Sequence, residues 1–314
     1  MRLRISTAPH IRSGATTQRI MMDVCIALVP CIIMGVYRFG LSAALLIGVC
    51  ALTAVVTEFA WQKLTKREVT VQDFSALVTG LILGLNLPPT APWWVAMIGS
   101  VFAILIVKQL FGGIGGNFVN PAMAARAVLL ASWPVHMTTY VISTGAFTVD
   151  ALSGATPLIT QNASYYDLLM GNIPGAIGEV CKLGILLGLL YLLLTKVISW
   201  RIPVTVLVAT ALMTLILGGD PLYAVLSGGV MFGAVFMATD YTTNPMTARG
   251  QVLFAAGVGV IVAVIRTFGA YPEGVTYAIL LMNIATPLID KYMKPRLYGR
   301  PKKERKVKEV KADA

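Results

Sequence analysis

Residues 73–89 read DFSALVTGLILGLNLPP, and residues 220–245 read DPLYAVLSGGVMFGAVFMATDYTTNP. Each stretch opens on an aspartate, runs on as an apolar segment interrupted by glycine, and ends on proline. Glycine and proline within an apolar run mark a membrane helix that is short or broken, and in many transporters such helices flank the site. A second pair keeps the same order: Lys108 opens KQLFG ahead of GNFVNPA, and Arg266 opens RTFG ahead of GVTYAILLMN. The offsets, 147 and 158 residues, make the two halves collinear. Counting outward gives five apolar spans in each half, and a repeat with an odd number of spans must insert its second copy upside down. Recurrent glycine and proline also arise from helix packing alone, so duplication stands as an expectation.

The composition demands a lipid solvent. The 314 residues are 57% hydrophobic and 12% charged, with a mean hydropathy of +0.77. Soluble domains carry roughly 25% charged residues, and no aqueous surface hides this much apolar side chain. With about 17–25 residues needed per span, the sequence predicts ten, at 20–36, 40–61, 74–88, 91–110, 118–135, 175–195, 202–218, 222–239, 250–267 and 274–290. The expected fold class is therefore an all-α polytopic membrane protein, with about ten transmembrane helices in two inverted five-helix repeats. The divisions are a segment 1–19, a first repeat 20–135, a loop 136–174, a second repeat 175–290 and a basic tail 291–314.

Charge orients these spans. Of 25 Lys and Arg, 21 fall on the side that holds both termini, leaving Arg38, Arg126, Lys182 and Arg266. Basic residues stay in the cytoplasm, so the reading is a multi-pass protein of the cell inner or plasma membrane with cytoplasmic termini. The loop 136–174 contains no Lys or Arg and falls outside. The net charge of +11 concentrates in the tail and lacks the aromatic interleaving of a nucleic-acid binder. It reads as a partner for anionic membrane lipid, with no nucleic acid.

Candidate polar residues are few. Cys25, Cys31, Cys50 and Cys181 lie in apolar runs without metal or cluster spacing. His10 and His136 are too few for paired haem ligation within the membrane. Asp23 and Glu58 are expected near the interface, whereas Arg126 is deepest and pairs with either an acidic partner or a structural counter-ion. Glu179 and Lys182, three apart, are expected to pair on one helical face. The glycine run 111–117 reads as a tight turn, with a backbone phosphate cradle as the alternative. Asn117, Asn120 and Pro121 are expected to break the fifth helix.

Within the outer loop, residues 150–157 read DALSGATP. A hydroxyl among small residues in a turn-prone segment is open to a modifying enzyme. The tetrapeptide alone is weak, because Ser13–Thr16 repeats SGAT without the upstream acid and on the inner side. The D-x-x-S-G-A-T pattern resembles the flavinylation motif of the RnfD/NqrB family, found in Rnf and sodium-pumping NADH:quinone oxidoreductase complexes. The stretches 115–127, 236–245 and 273–283 and the opening PHIRSG are similar to the same family, and the length matches its RnfD side.

The resemblance implies that a flavin transferase joins FMN to Thr156 by a phosphoester. Asp150, Ser153, Gly154 and Ala155 would form the recognition motif, with Asn120 and Arg126 as further flavin contacts. A second, non-covalent flavin such as riboflavin is implied in the bundle. It implies a translocase subunit, incomplete as a catalyst alone, in a complex coupling ferredoxin/NAD electron transfer to Na+ or H+ movement. The partners are other Rnf-type subunits, membrane and peripheral, including a second flavinylated subunit and iron-sulfur subunits. An inverted repeat suits a channel or transporter for a small polar solute equally well, and that is the rival reading.

Overall fold

The computed structural model of the chain describes residues 15–142, 152–153, 156–160, 163–269 and 273–294. Asp150, Gly154 and Ala155, the segment 1–14 with its Ser13, and most of the basic tail lie outside the described residues. The chain is helical apart from a two-residue antiparallel ladder, Val141 opposite Ser153 and Ile142 opposite Leu152, which is the one departure from the all-α expectation among the described residues.

Helix coincides with each of the ten predicted intervals. These are α1 (Thr17–Phe39), α2 (Leu41–Leu64), α3 (Ser75–Leu85) and α4 (Trp93–Val101), which runs on as a π-helix over Phe102–Gln109. There follow α5 (Pro121–Ser132), α6 (Lys182–Leu194), α7 (Arg201–Ile216) and α8 (Pro221–Leu226). The α8 segment resumes as a short helix, Val230–Phe232, and a π-helix, Gly233–Met237. Last come α9 (Ala248–Phe268) and α10 (Val275–Tyr292).

Lipid-facing chemistry is plain in the longest three. α1, α2 and α9 have 23, 24 and 21 residues, with mean hydropathies of 2.2, 2.1 and 2.0. Only 22 to 33% of each apolar window is buried within the chain, and Leu41, Leu52, Leu64 and Phe268 project outward. Apolar side chains left exposed in this way need hydrocarbon around them. The chain is a helical membrane protein.

Close backbone approach fixes the packing. A Cβ at Gly80 would lie 2.7 Å from Cys50 O, one at Gly188 2.5 Å from Ala27 O, and one at Gly259 2.7 Å from Val206 O. Glycine thus lets α3 sit on α2, α6 on α1 and α9 on α7, the small-residue packing of membrane bundles. α5 also meets α10, and α9 meets α10.

Two predicted boundaries differ. Residues 175–181 were expected in the sixth span, yet α6 starts at Lys182. The N–H groups of Ile177 and Gly178 instead bond to Leu87 O and Leu85 O, at 3.1 and 2.7 Å. The eighth span, expected over 222–239, is broken at Ser227–Gly229, where Gly228 takes φ +60°.

Candidate functional site

The bundle has a basic end, where α1 and α3 begin and α2 and α4 finish, and a loop end, where α5 finishes and α6 begins. Buried polar groups collect at both.

At the basic end, Asn120 caps α5 by accepting from the N–H groups of Ala122 and Met123 at 3.0 and 3.2 Å, with Pro121 in the first turn. The sequence predicted that these residues break the helix. They start it, because proline needs no N–H partner in a first turn and asparagine supplies the missing acceptor. Asn120 also donates to Met237 O at 3.3 Å, tying α5 to the π-helix after α8. Arg126 then enters the bundle, donates to Asn86 Oδ1 at 2.8 Å, and forms an ion pair with Glu273. The second Glu273 oxygen accepts from Tyr140 at 2.5 Å. Arg126 thus has an ion-pair partner within the chain, just ahead of α10.

The predicted Glu179–Lys182 pair does not form. Helical spacing does not apply, because Glu179 precedes the first turn of α6. Lys182 donates to the backbone carbonyls of Glu179 and Gly228, the latter at 2.8 Å. Glu179 Oε1 accepts from Ala176 N at 3.0 Å, while Oε2 is buried without a hydrogen-bond partner among the described residues.

Thr156 lies two residues before Leu158, which meets the Gly228 turn that Lys182 reaches. It is buried, and its Oγ1 has no hydrogen-bond partner among the described residues. Pro157 O accepts from the Tyr223 hydroxyl at 2.9 Å, so α8 holds the segment. Ser153, upstream, is placed by the two-residue ladder. The other SGAT threonine, Thr16, serves the fold, since its hydroxyl caps α1 by accepting from Arg19 N at 3.2 Å.

Glu58, expected near the interface, is buried within the protein toward the basic end. It pairs with Lys108 at 2.7 Å and accepts from Gln109 and Gln62 at 2.9 and 3.2 Å. Lys108 also donates to Ser75 Oγ at 2.6 Å, and Ser75 in turn bonds to Asp73. Asp23 accepts from Tyr191 at 3.0 Å. A buried carboxylate and ammonium persist only when paired and further hydrogen-bonded, which is the case here. Lys108 also borders a cleft at this end, with Asn117, Asn120, Thr239, Asp240 and Phe236 among its walls. Both π-helices contribute to it, consistent with the frequent placement of such turns at functional sites.

Outside the spans, the Tyr165 hydroxyl donates to Asp220. That bond, chiefly, holds the Asp220 carboxyl below the usual range and raises the phenol above its own.

The comparisons with known proteins agree along the whole chain. The model of the NQR2, RnfD, RnfE family matches residues 4–299. The chain belongs to that family. Its members include the D subunit of the Na(+)-translocating ferredoxin:NAD(+) oxidoreductase complex of Acetobacterium woodii, 49% identical over 98% of this chain and 99% of the relative. The D subunit of the proton-translocating ferredoxin:NAD(+) oxidoreductase complex of Clostridium ljungdahlii is 42% identical, covering 94 and 96%. The D subunit of the ion-translocating oxidoreductase complex of Pectobacterium atrosepticum is 38% identical, covering 95 and 99%. The stretches by which the sequence resembled the NQR2, RnfD, RnfE family thus carry Arg126, in 115–127, and Glu273, in 273–283, which the fold brings into contact.

Proposed function

We propose that the chain is the flavin-bearing membrane subunit of an ion-translocating ferredoxin:NAD oxidoreductase complex, carrying FMN as a phosphoester on Thr156. The names of relatives aligned over nearly their full length support the complex. The observation that carries the flavin reading is the Thr156 hydroxyl. A buried O–H without an acceptor costs on the order of 1–3 kcal/mol, and an ester oxygen has no hydrogen to place. The residues present therefore fit the group: esterification at Oγ1 removes an orphaned donor from the packed loop end.

When bound, FMN supplies electron transfer, which no side chain of this protein provides. The chain supplies position. Tyr223 holds Pro157 O, the 141–142/152–153 ladder holds the upstream motif, and the Arg126–Glu273–Tyr140 group joins α5 to α10 beneath. The basic-end cleft is apolar with a few convergent polar groups. It suits the polar edge of a non-covalent flavin such as riboflavin.

The ten helical intervals are read as ten spans in two inverted five-helix repeats. The divisions are 1–19, 20–135, 136–174, 175–290 and 291–314, with the basic end cytoplasmic and Thr156 outside. Two sets of corresponding contacts support the repeat. Asp73 receives hydrogen bonds at the start of α3, and Asp220 caps α8. Lys108 reaches Ser75 in α3, and Arg266 reaches Ala224 in α8. The complex would couple ferredoxin/NAD electron transfer to Na+ or H+ movement, with the membrane, iron-sulfur and second flavinylated subunits as partners.

The test is expression of the full chain with its flavin transferase, followed by in-gel flavin fluorescence under denaturing conditions. A band lost in Thr156→Ala and kept in Thr16→Ala is expected. A dark parent chain, with the transferase active on a control substrate, would overturn the reading.

A further inference from the structure

The break between α8 and its continuation gathers charge around one glycine. Lys182 donates to Gly228 O at 2.8 Å. Arg266 donates to Ala224 O at 2.6 Å and to Ser227 O at 3.1 Å. A Cβ on Gly228 would lie 2.9 Å from Arg266 Nη2 and 2.8 Å from Leu158 Cδ1, and one on Gly229 would lie 2.6 Å from Glu179 Oε2. The segment Thr156–Leu158 therefore runs along this break, held there also by Tyr223.

The charges do not balance. Among the described residues, ion pairs within 4.0 Å join Lys108 to Glu58 and Arg126 to Glu273, and neither Arg266 nor Lys182 has one. With the Glu273 carboxylate committed to Arg126, the break holds two cations against Glu179 alone. Among the described residues, one positive charge is left over. Four buried polar atoms here also lack hydrogen-bond partners among the described residues: Arg266 Nε, Ser227 Oγ, Glu179 Oε2 and Thr156 Oγ1. A cation at membrane depth is costly without a counter-charge, so a surplus that persists points to an anion supplied from outside the unmodified chain.

We propose that Arg266 is the counter-cation that seats the phosphodiester on Thr156. A phosphodiester carries one negative charge at neutral pH, which matches the surplus. The planar guanidinium is the side chain best shaped to grip two phosphate oxygens. Arg266 already spends two N–H groups on backbone carbonyls, which aims the fork, and Lys182 offsets Glu179 so that the carboxylate does not repel the phosphate. Arg266 is thus a positioning residue, fixing where the flavin hangs relative to the bundle. This rests on the reading of Thr156 as the attachment point.

The test compares five full-length chains in lipid nanodiscs, each expressed with the flavin transferase: the parent, Arg266→Gln, Arg266→Lys, Thr156→Val, and the Arg266→Gln/Thr156→Val double variant. Arg266→Gln is expected to keep the fluorescent band in denaturing gels. It should lower the melting temperature of the flavinylated chain by several degrees while leaving the Thr156→Val background unchanged. In the folded chain the flavin's fluorescence anisotropy should decay several-fold faster, and Arg266→Lys, which keeps charge without the fork, should fall between. An equal thermal shift in both backgrounds, with unchanged anisotropy, would overturn the proposal and leave Arg266 a purely structural cap. If Arg266→Gln does not fold, an Arg266→Lys decay identical to the parent's would overturn it equally. A parent chain without a fluorescent band would instead sink the underlying attachment.

Discussion

Lys108 and Arg266, which the proposed repeat would pair, lie at opposite ends of the bundle, and among the described residues only Lys108 has an ion-pair partner. Lys108 leaves the end of α4, reaches Ser75 in α3, and meets Glu58 of α2 at 2.7 Å. Arg266 leaves the end of α9 and reaches Ala224 and Ser227 of the broken α8. The corresponding neighbour, α7, has the sequence RIPVTVLVATALMTLI and offers no carboxylate. The same scaffold has therefore been closed at one end by an internal ion pair and left with an unmatched cation at the other. The unmatched end is the one beside Thr156. Buried charge by itself is a poor guide to function; buried charge without its counter-charge is a better one.

The largest expected effect comes from opening the closed end. Glu58→Ala strands a buried ammonium and should cost about 3–5 kcal/mol in unfolding experiments on the purified chain, whereas Glu58→Leu combined with Lys108→Met should recover most of it. A neutral single variant would break the comparison, since the basic end would then not be held by its pair. At the loop end, Gly228→Ala forces a side chain into φ +60° and against Leu158 and Arg266. A loss of roughly 1–3 kcal/mol is expected, measured the same way. A smaller figure would mean that the break yields easily and cannot aim Arg266.

The smallest effect lies on the surface beside that break. The Tyr165–Asp220 bond lowers the carboxyl's pKa and raises the phenol's. A depressed carboxyl contributes stability above its unfolded value of about 3.9 and loses it as pH falls through the folded one. A raised phenol contributes below about 10 and loses it as pH rises past its folded value. Tyr165→Phe should therefore melt slightly below the parent between those limits, and the gap should close on either side. A gap independent of pH would assign the effect to packing.

The asymmetry was only partly legible in the sequence. Apolar runs announced helices, and helix is found within all ten predicted intervals, three of them long and apolar enough to cross a membrane. Glu58 and Lys108 are 50 residues apart, each near a span end. Hydropathy therefore placed them at the interface, and nothing local shows that two span ends face each other. The Glu179–Lys182 reading failed for a related reason: an i, i+3 rule presumes a helix already begun, and Ile177 and Gly178 give their N–H groups to Leu87 and Leu85 instead. Glu273 sat within a quoted stretch without being singled out. The available signal was arithmetic, since a deep arginine needs an acid and the second half offers few. Thr156 was found by its motif, whereas its buried, unpartnered hydroxyl is a property of packing that no spacing reveals.

Peptide mass spectrometry tests the central claim most directly, on the chain purified after expression with its flavin transferase. The peptide containing Thr156 is expected to carry the mass of FMN less one water, with fragmentation placing it on Thr156 and the Thr16 peptide unmodified. An unmodified Thr156 peptide from a preparation whose transferase is active, or FMN on another residue, would contradict the account.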